Sequence, residues 1–381
     1  RSWWGEPGDQ TLLAYRDGDG PWTLANHPSK VLYQFEVMSG RYAVAYVCSG
    51  DDMSGVQVHY ATTVRTALTI EQGDYCLEPS AGVSGRSGQL NSSAVTDGTF
   101  LWAHRLGNNS LGYQGPGTPF TIPMPYDLIT DLAIALRNNG TGFIHRMQLF
   151  RDQQQTDSVT GLNFDMDAIG FQPTFASAIV ANGASTPLPT FFVEYLANGS
   201  NFGIDISSTS QDLLVDAVAK EYAMVPTNEA RDTDRYRIYA ADGYAESKRT
   251  VEYFTRTASD IYLQLPTAFS AAFDLKPASY FAASMTFDEA PGATDYALHL
   301  THNSTRLVVT AERAWFQDKS TTHTLIVPDL SEIPGFDESY VLPSNAMGVE
   351  VDGTAITVIE TPNILHRTTS TTSSTLPLVG N

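Results

Sequence analysis

Alternation of apolar and polar residues with a period of two runs through most of this chain, and it restricts the fold more than any other feature. The first three alternating runs are VLYQFEV (31–37), YAVAYVC (42–48) and VQVHY (56–60). Side chains on a β-strand point alternately to opposite faces, so this pattern is typical of half-buried strands. We therefore predict an all-β protein. Similar runs begin at Phe100, Gly142, Phe191, Arg235, Ile261, Tyr296, Arg306, His323 and Thr354.

Two segments fit a helix as well as a strand. Residues 210–224, SQDLLVDAVAKEYAM, start with a serine that could cap a helix, and their apolar residues recur at helical spacing. The same segment contains DLLVDAV, which is also consistent with a strand. Residues 126–137 contain LITDLAIALR and are ambiguous in the same way.

Acidic side chains outnumber basic ones by 42 to 22, which gives a formal net charge of −20. Such a charge repels phosphate backbones and anionic lipid headgroups, so nucleic acid and membrane surfaces are not expected partners. The sequence also lacks an apolar run of the roughly 18 residues that a membrane-spanning helix needs. We predict no transmembrane segment.

Two cysteines are present, and each ends a strand-like run: Cys48 follows YAVAYV and Cys76 follows ALTIEQGDY. On neighbouring antiparallel strands they could lie side by side, and we predict a disulfide that stabilises the fold by about 3 kcal/mol. The alternative is a pair of buried free thiols in a reducing compartment. The disulfide, and a chain that begins with Arg1 rather than methionine, favour an exported protein whose signal peptide has been removed.

Clusters of glycine, serine and proline indicate where one module ends and the next begins. The predicted modules are a disulfide-containing unit at 1–81, then 82–158, 159–278 and 279–365, followed by a Ser/Thr-rich tail at 366–381. The tail has too few apolar groups to form a core. We expect it to pair as an extended strand with another part of the assembly, through residues that include Thr368, Leu376, Leu378 and Val379.

Six motifs carry a resemblance to a protein family. They are LAYRDGDGPW ending at Trp22, RYAVAYVC (41–48) followed by a second cysteine, VSGRSGQL (83–90), YDLITDL (126–132), RMQLFRD (146–152) and VPDLSEIPGFDESYVL (327–342). In this order they resemble a family of uncharacterised exported proteins and lipoproteins of gammaproteobacteria and myxobacteria. The resemblance implies export and tandem β-sandwich modules of prealbumin-like or immunoglobulin-like type. It implies no activity, and Arg1 stands where the lipoprotein members have a lipid-bearing cysteine.

Two pairs of aspartates are candidate calcium ligands. Asp17 and Asp19 alternate with glycine in DGDG, and a hairpin turn that uses Asp and Gly is the alternative explanation. Asp165 and Asp167, in NFDMDAIG, share one face of a predicted strand, and a solvated strand face is the alternative. Calcium is the one cofactor that the sequence leaves open.

Catalytic motifs are missing from the sequence. His299 and His302 lie three residues apart, which places them on opposite faces of a strand, and there is no HExxH, GxSxG or phosphate-binding glycine-rich motif. We therefore predict that the protein is not an enzyme. Trp3 and Trp4 are adjacent, so on a strand one of them is exposed or covers another unit, and they are candidate platforms for sugar rings.

These features favour an exported structural or adhesive protein of the cell surface or of an extracellular, even filamentous, assembly. Its expected partners are copies of itself or other surface components. An array of carbohydrate-binding modules with polysaccharide as partner is the alternative. A surface hydrolase is a weaker alternative, because the acidic residues are too numerous for a catalytic pair to be selected from sequence.

Overall fold

The computed structural model describes residues 12–29, 32–49, 54–63, 83–91, 100–106, 109–110, 119–125, 129–138, 140–154, 162–165, 170–183, 186–197, 203–244, 247–276, 280–316, 320–336, 342, 346, 348–361 and 364–375. These ranges contain many strands and no α-helix, so the prediction of an all-β protein is confirmed. The strands are numbered β1 to β28 along the chain.

In the described part of the chain, twelve strands form one large sheet. In spatial order they are β16 (Ile204–Asp205), β15 (Thr190–Leu196), β19 (Arg235–Tyr244), β20 (Ser247–Thr255), β28 (Ile364–Thr375), β27 (Glu350–Thr361), β24 (Asp295–His302), β25 (Thr305–Glu312), β6 (Ser54–Thr62), β5 (Arg41–Ser49), β1 (Leu12–Asp17) and β2 (Thr23–Leu24). Neighbouring strands are antiparallel except β6 and β25, which pair in parallel with Val58 opposite Val309.

Five smaller sheets complete the described structure. They comprise, in spatial order, β10 (Pro119–Pro125), β7 (Val83–Asn91) and β13 (Leu162–Asp165); β12 (Ile144–Gln154), β11 (Ile129–Asn138), β8 (Phe100–Leu106) and β9 (Asn109–Ser110); β17 (Asp212–Leu214), β18 (Ala217–Met224), β14 (Thr174–Ala181) and β21 (Ile261–Gln264); β22 (Ala271–Lys276), β23 (Ala282–Asp288) and β26 (Thr322–Ile326); and β3 (Asn26–Ser29) with β4 (Leu32–Gln34).

The first hydrophobic core lies between the β22–β23–β26 sheet and one half of the large sheet. Leu298 and Val309 of the large sheet are fully buried and belong to the same cluster as Met285 and Phe287 of β23. The two layers are close together at Gly353, where an added Cβ would lie 2.5 Å from the Met285 sulfur. A larger residue at this strand position would have to displace the Met285 side chain.

The second core lies between the β17–β18–β14–β21 sheet and the other half of the large sheet. Its members include Val193 and Val251 from the large sheet and Val180 and Tyr222 from the smaller one, all 0% exposed. Side chains of β11 and β12 also reach this core, and Met147 is one of them. The hairpin formed by β11 and β12 is thereby attached to the same hydrophobic unit.

Both cores lie on the same face of the large sheet. Val251 of the second core pairs with Thr368, and Ala355 of the first core pairs with Ser370. Thr368 and Ser370 are two residues apart on β28, so they point to the same side. The connection after β21 crosses between the cores, where the Phe269 N–H donates a 2.7 Å hydrogen bond to Ser370 Oγ. The opposite face of the large sheet carries a third, smaller hydrophobic cluster at the β1–β5 end, which includes Leu13, Val44 and Tyr46.

The segments that fit either helix or strand are strands. Residues 210–224 form the hairpin of β17 and β18, and residues 129–138 form β11. In β14 and β18, Val180 pairs with Val218 on the core face, while the neighbouring Ala181 pairs with Ala217 on the outer face. The local pattern of this segment fits both a helix and a strand, and tertiary packing on one face of a sheet determines that it forms strands.

The predicted Ser/Thr-rich tail lies inside the large sheet over its described part. Thr368 of β28 pairs with Val251 on one side and with Thr357 on the other. The main chain of residues 364–375 is therefore paired with β20 and β27 of the same chain. Strands from the predicted modules 1–81, 159–278 and 279–365 all contribute to this one sheet.

Candidate functional site: a cleft at the end of the large sheet

Aromatic rings surround one arginine on the face of the large sheet opposite the cores. The strand registers place Glu194 opposite Arg237, Arg237 opposite Phe254, and Phe192 opposite Tyr239. The rings of Phe192 and Tyr239 are stacked with their centroids 5.1 Å apart. The Arg237 guanidinium carbon lies 5.7 Å from each of these centroids and 6.0 Å from that of Phe254. We call this group the Arg237 cluster.

Ion pairs hold the Arg237 cluster in place. Arg237 Nε lies 2.6 Å from Glu252 Oε1, and its Nη1 lies 3.2 Å from Glu194 Oε2. The Glu194 side chain is only 3% exposed, and a buried carboxylate requires such a partner. Cation–π contacts add to these pairs. The position of the Arg237 guanidinium beside Phe254 is therefore held by two carboxylates.

An open cleft of about 400 Å³ adjoins the Arg237 cluster. Phe254, Ile364 and Leu365 contribute apolar surface to it, and the polar residues that line it are Arg235, Arg256, Glu360 and Thr361. Small-molecule sites typically have volumes of roughly 300–1,000 Å³, and this cleft has a more polar lining than most of them. The cleft is built where β19 begins, where β20 and β27 end, and where β28 begins.

The two arginines of the cleft have no protein partner in the described part of the chain. Each other arginine whose side chain the structure describes makes at least one hydrogen bond or ion pair. Arg256 follows Phe254 by two residues and Arg235 precedes Arg237 by two, so both arginines project from the same face of the sheet. The cleft therefore contains two unpaired cations next to an aromatic ring.

A second charged group, which we call the Arg151 cluster, lies beside the second core. Arg151 contacts Asp234 at 2.6 Å and Asp131 at 2.8 Å, and both carboxylates are almost fully buried. Tyr195 donates a 2.5 Å hydrogen bond from its hydroxyl to Asp234 Oδ2. Arg231 lies 3.7 Å from Asp131 at the solvent side of the cluster.

The Arg151 cluster is suited to stability rather than to catalysis. Burial, together with the hydrogen bond to Asp234, raises the pKa of Tyr195, so its hydroxyl remains a donor. Burial opposes the charge of Arg151, but its hydrogen bonds to Asp234 and Asp131 outweigh that effect and raise its pKa. These groups therefore keep one protonation state at neutral pH, whereas a general acid or base needs a pKa near the working pH. The ion pairs connect β11 and β12 to the large sheet.

The predicted calcium ligands Asp17 and Asp19 lie in a hairpin turn. Asp17 accepts hydrogen bonds of 2.9 Å from the N–H groups of Met38 and Ser39, one on each carboxylate oxygen. Asp19 points away and lies 3.2 Å from Arg41. Gly18 in this turn has φ +56°, as expected for a Gly position in a tight turn. This geometry matches the turn alternative, and the two carboxylates do not converge.

We expect EDTA to leave the melting temperature of the protein unchanged, because backbone N–H groups already occupy both Asp17 oxygens. Asp17→Ala should lower the melting temperature, whereas Asp19→Ala, at an exposed ion pair, should have little effect. Hydrogen bonds from Ser39 and Met38 lower the pKa of Asp17. Asp17 therefore contributes fully to the stability of the folded state above a pH of about 4. This contribution is lost as the pH falls through the lower pKa that Asp17 has in the folded state. A chelator effect that disappears in Asp17→Ala would instead show a calcium site.

The other predicted site residues lie partly or wholly outside the described residues. Cys48 is on β5 but Cys76 is outside them, so the disulfide stays a prediction. Asp165 ends β13 with no side-chain description, and the residues wholly outside the described ranges are Trp3, Trp4, Asp167, Leu376, Leu378 and Val379. Among the described side chains, no group of three or more His, Cys, Asp or Glu residues is arranged to hold a metal ion.

Comparison with known proteins places no relative beside this chain: no family model matches it, and neither curated proteins nor solved structures gave a significant match. In the described ranges, no helix has the length and apolar character that crossing a membrane requires.

Proposed function

We propose that the chain is an exported structural or adhesive protein of a cell surface or an extracellular assembly. The observation that supports this proposal is an exposed apolar hairpin at the edge of the β17–β18–β14–β21 sheet. Leu213 is 52% exposed, Leu214 is 41% exposed and Val215, at the tip, is 89% exposed. Apolar side chains grouped on an exposed strand edge mark a site of association.

A second copy of the chain is the partner that fits this hairpin. The described edges of the large sheet are β16 and β2, which are two residues long, and short edge strands resist strand addition. The apolar hairpin therefore offers the better contact, and a two-fold dimer would use it on both sides. Asp212 and Asp216 flank the hairpin, so two copies repel each other at low ionic strength. Association should consequently strengthen with added salt.

Sedimentation velocity tests this proposal. We expect the purified protein to form dimers or larger species at micromolar concentration, and to form more of them at 0.5 M than at about 0.05 M salt, where the Debye length is longer. The double variant Leu213→Asp, Val215→Asp should remain monomeric. Leu24→Asp is the matched control, because Leu24 is 45% exposed on β2 at the far edge of the large sheet. A wild-type protein that stays monomeric under all conditions would contradict the proposal.

Carbohydrate binding is a second candidate function, and the cleft beside the Arg237 cluster favours it. A sugar ring needs an aromatic or apolar surface together with a few fixed polar groups, and both kinds of residue line this cleft.

We also propose that the two cores represent two sandwich-like units that share the large sheet, in line with the resemblance to exported proteins with β-sandwich modules. The buried residues of the first and second cores form separate clusters, which supports this interpretation, and the third cluster lies on the opposite face of the large sheet.

A further inference from the structure

We propose that the cleft lined by Arg235, Phe254 and Arg256 binds an acidic sugar, namely a uronic acid unit of a polysaccharide. The proposal rests on the carbohydrate-binding function and specifies its ligand. It follows from the charge in the cleft, from its apolar surface, and from the placement of both at the same end of the sheet.

The charge in the cleft calls for an anion. Arg235 and Arg256 line the same cleft, and neither has a protein partner in the described part of the chain. Like charges held close together repel each other, so an anion bound between them would relieve that repulsion. Arginine presents two parallel N–H donors that match a carboxylate. Among the described residues that line the cleft, Glu360 is the one with an acidic side chain, and its single charge leaves the two arginines in excess.

The apolar surface of the cleft indicates more than a small ion. Phe254, Ile364 and Leu365 would remain uncovered beside a bound phosphate or sulfate. The apolar face of a pyranose ring can cover them, as sugar rings do on aromatic side chains. Glu360 and Thr361 then offer acceptors for the sugar hydroxyl groups. A uronic acid combines a carboxylate and a pyranose ring in one unit.

Isothermal titration calorimetry with matched sugars tests this inference. The probes are the trimers of galacturonate, glucuronate and mannuronate, each compared with its neutral parent trimer of galactose, glucose or mannose. We expect at least one uronate trimer to bind about 10-fold or more tightly than its neutral parent, because a charge-assisted hydrogen bond contributes roughly that factor or more. Sodium acetate and sodium phosphate serve as ligands that have the charge without the ring.

Charge-removing variants locate the binding site. Arg235→Gln and Arg256→Gln should each weaken uronate binding about 10-fold or more, since each removes a charged donor. Lys248→Gln is the matched control: it removes one positive charge from the same strand and the same face, about 26 Å from Arg256 along the strand. It should bind uronate as the wild type does. The three side chains are exposed, so we expect all three variants to fold as the wild type does. Far-UV circular dichroism and the melting temperature check this expectation.

The possible outcomes distinguish a failure of the acidic-sugar assignment from a failure of the carbohydrate-binding function. Equal binding of neutral and acidic trimers, unaffected by the arginine variants, would overturn the acidic-sugar assignment and keep carbohydrate binding. Acetate or phosphate that binds as tightly as the best uronate would show a general anion site and overturn the sugar assignment. The absence of binding by all six trimers would overturn both, while self-association through the apolar hairpin would be unaffected.

Discussion

Replacement of Asp234 by alanine is expected to destabilise the protein by about 3–5 kcal/mol, as observed in general when one partner of a buried ion pair is removed. The Asp234 side chain is 3% exposed and accepts hydrogen bonds from Arg151, from the Tyr195 hydroxyl and from the Arg231 N–H. Its loss leaves the Arg151 charge with less compensation and the Tyr195 hydroxyl without its acceptor. Urea unfolding followed by far-UV circular dichroism measures the change.

Asp152→Asn is the matched control for this prediction, because asparagine tolerates the φ of +53° at this position. Asp152 also pairs with an arginine, at 2.6 Å from Arg231, but its side chain is 61% exposed. Water solvates the Arg231 guanidinium after the substitution, so the unfolding midpoint should move far less than in Asp234→Ala. Similar midpoints for the two variants would show that burial does not govern the strength of the Arg151 cluster.

Phe287→Ala is expected to lower the free energy of unfolding by about 3–5 kcal/mol, the usual range for a buried aromatic residue replaced by alanine. Phe287 is 2% exposed in the first core. Its ring centroid lies 4.2 Å from that of Tyr296 and 5.7 Å from that of Phe269. Truncation of the ring removes these contacts and leaves a cavity between the two sheets. The surrounding side chains can fill that cavity only partially.

Tyr262→Ala provides the comparison for the core variant. Tyr262 is also an aromatic residue on a strand, but it is 74% exposed on the outer face of β21. Little surface is returned to water when it is truncated, so the urea midpoint should stay close to that of the wild type. A small effect of Phe287→Ala would indicate that the first core repacks around the missing ring.

The period-two pattern accounts for the secondary structure that could be predicted from sequence. YAVAYVC lies within β5, VQVHY within β6 and RYRIYAA within β19. Alternation identifies β6 and β19 because backbone sterics and one buried face act on each segment separately, whereas β5 is buried on both faces. The segment that becomes β17 and β18 could not be decided in this way, because its apolar residues fit both periods and its partners lie elsewhere in the chain.

The cleft was not found from sequence, although part of its signal is present. Arg235 and Arg237 alternate in RYRIY, and Phe254 and Arg256 alternate in FTR, which places each pair on one strand face. Nothing in the sequence brings the two pairs together or adds Glu360 and its neighbours. Only the pairing of β19 with β20, and of β20 with β28, assembles these residues into one site.

The sequence by itself determined that this protein is built from strands and where several of them lie. The tertiary structure alone decided which strands are neighbours: β6 beside β25 in parallel, and β28 between β20 and β27. The reason is that strands pair through main-chain N–H and C=O groups, which are the same for nearly every residue. The choice among partners therefore depends on how side chains from distant segments pack on the shared face, and local sequence does not contain that information.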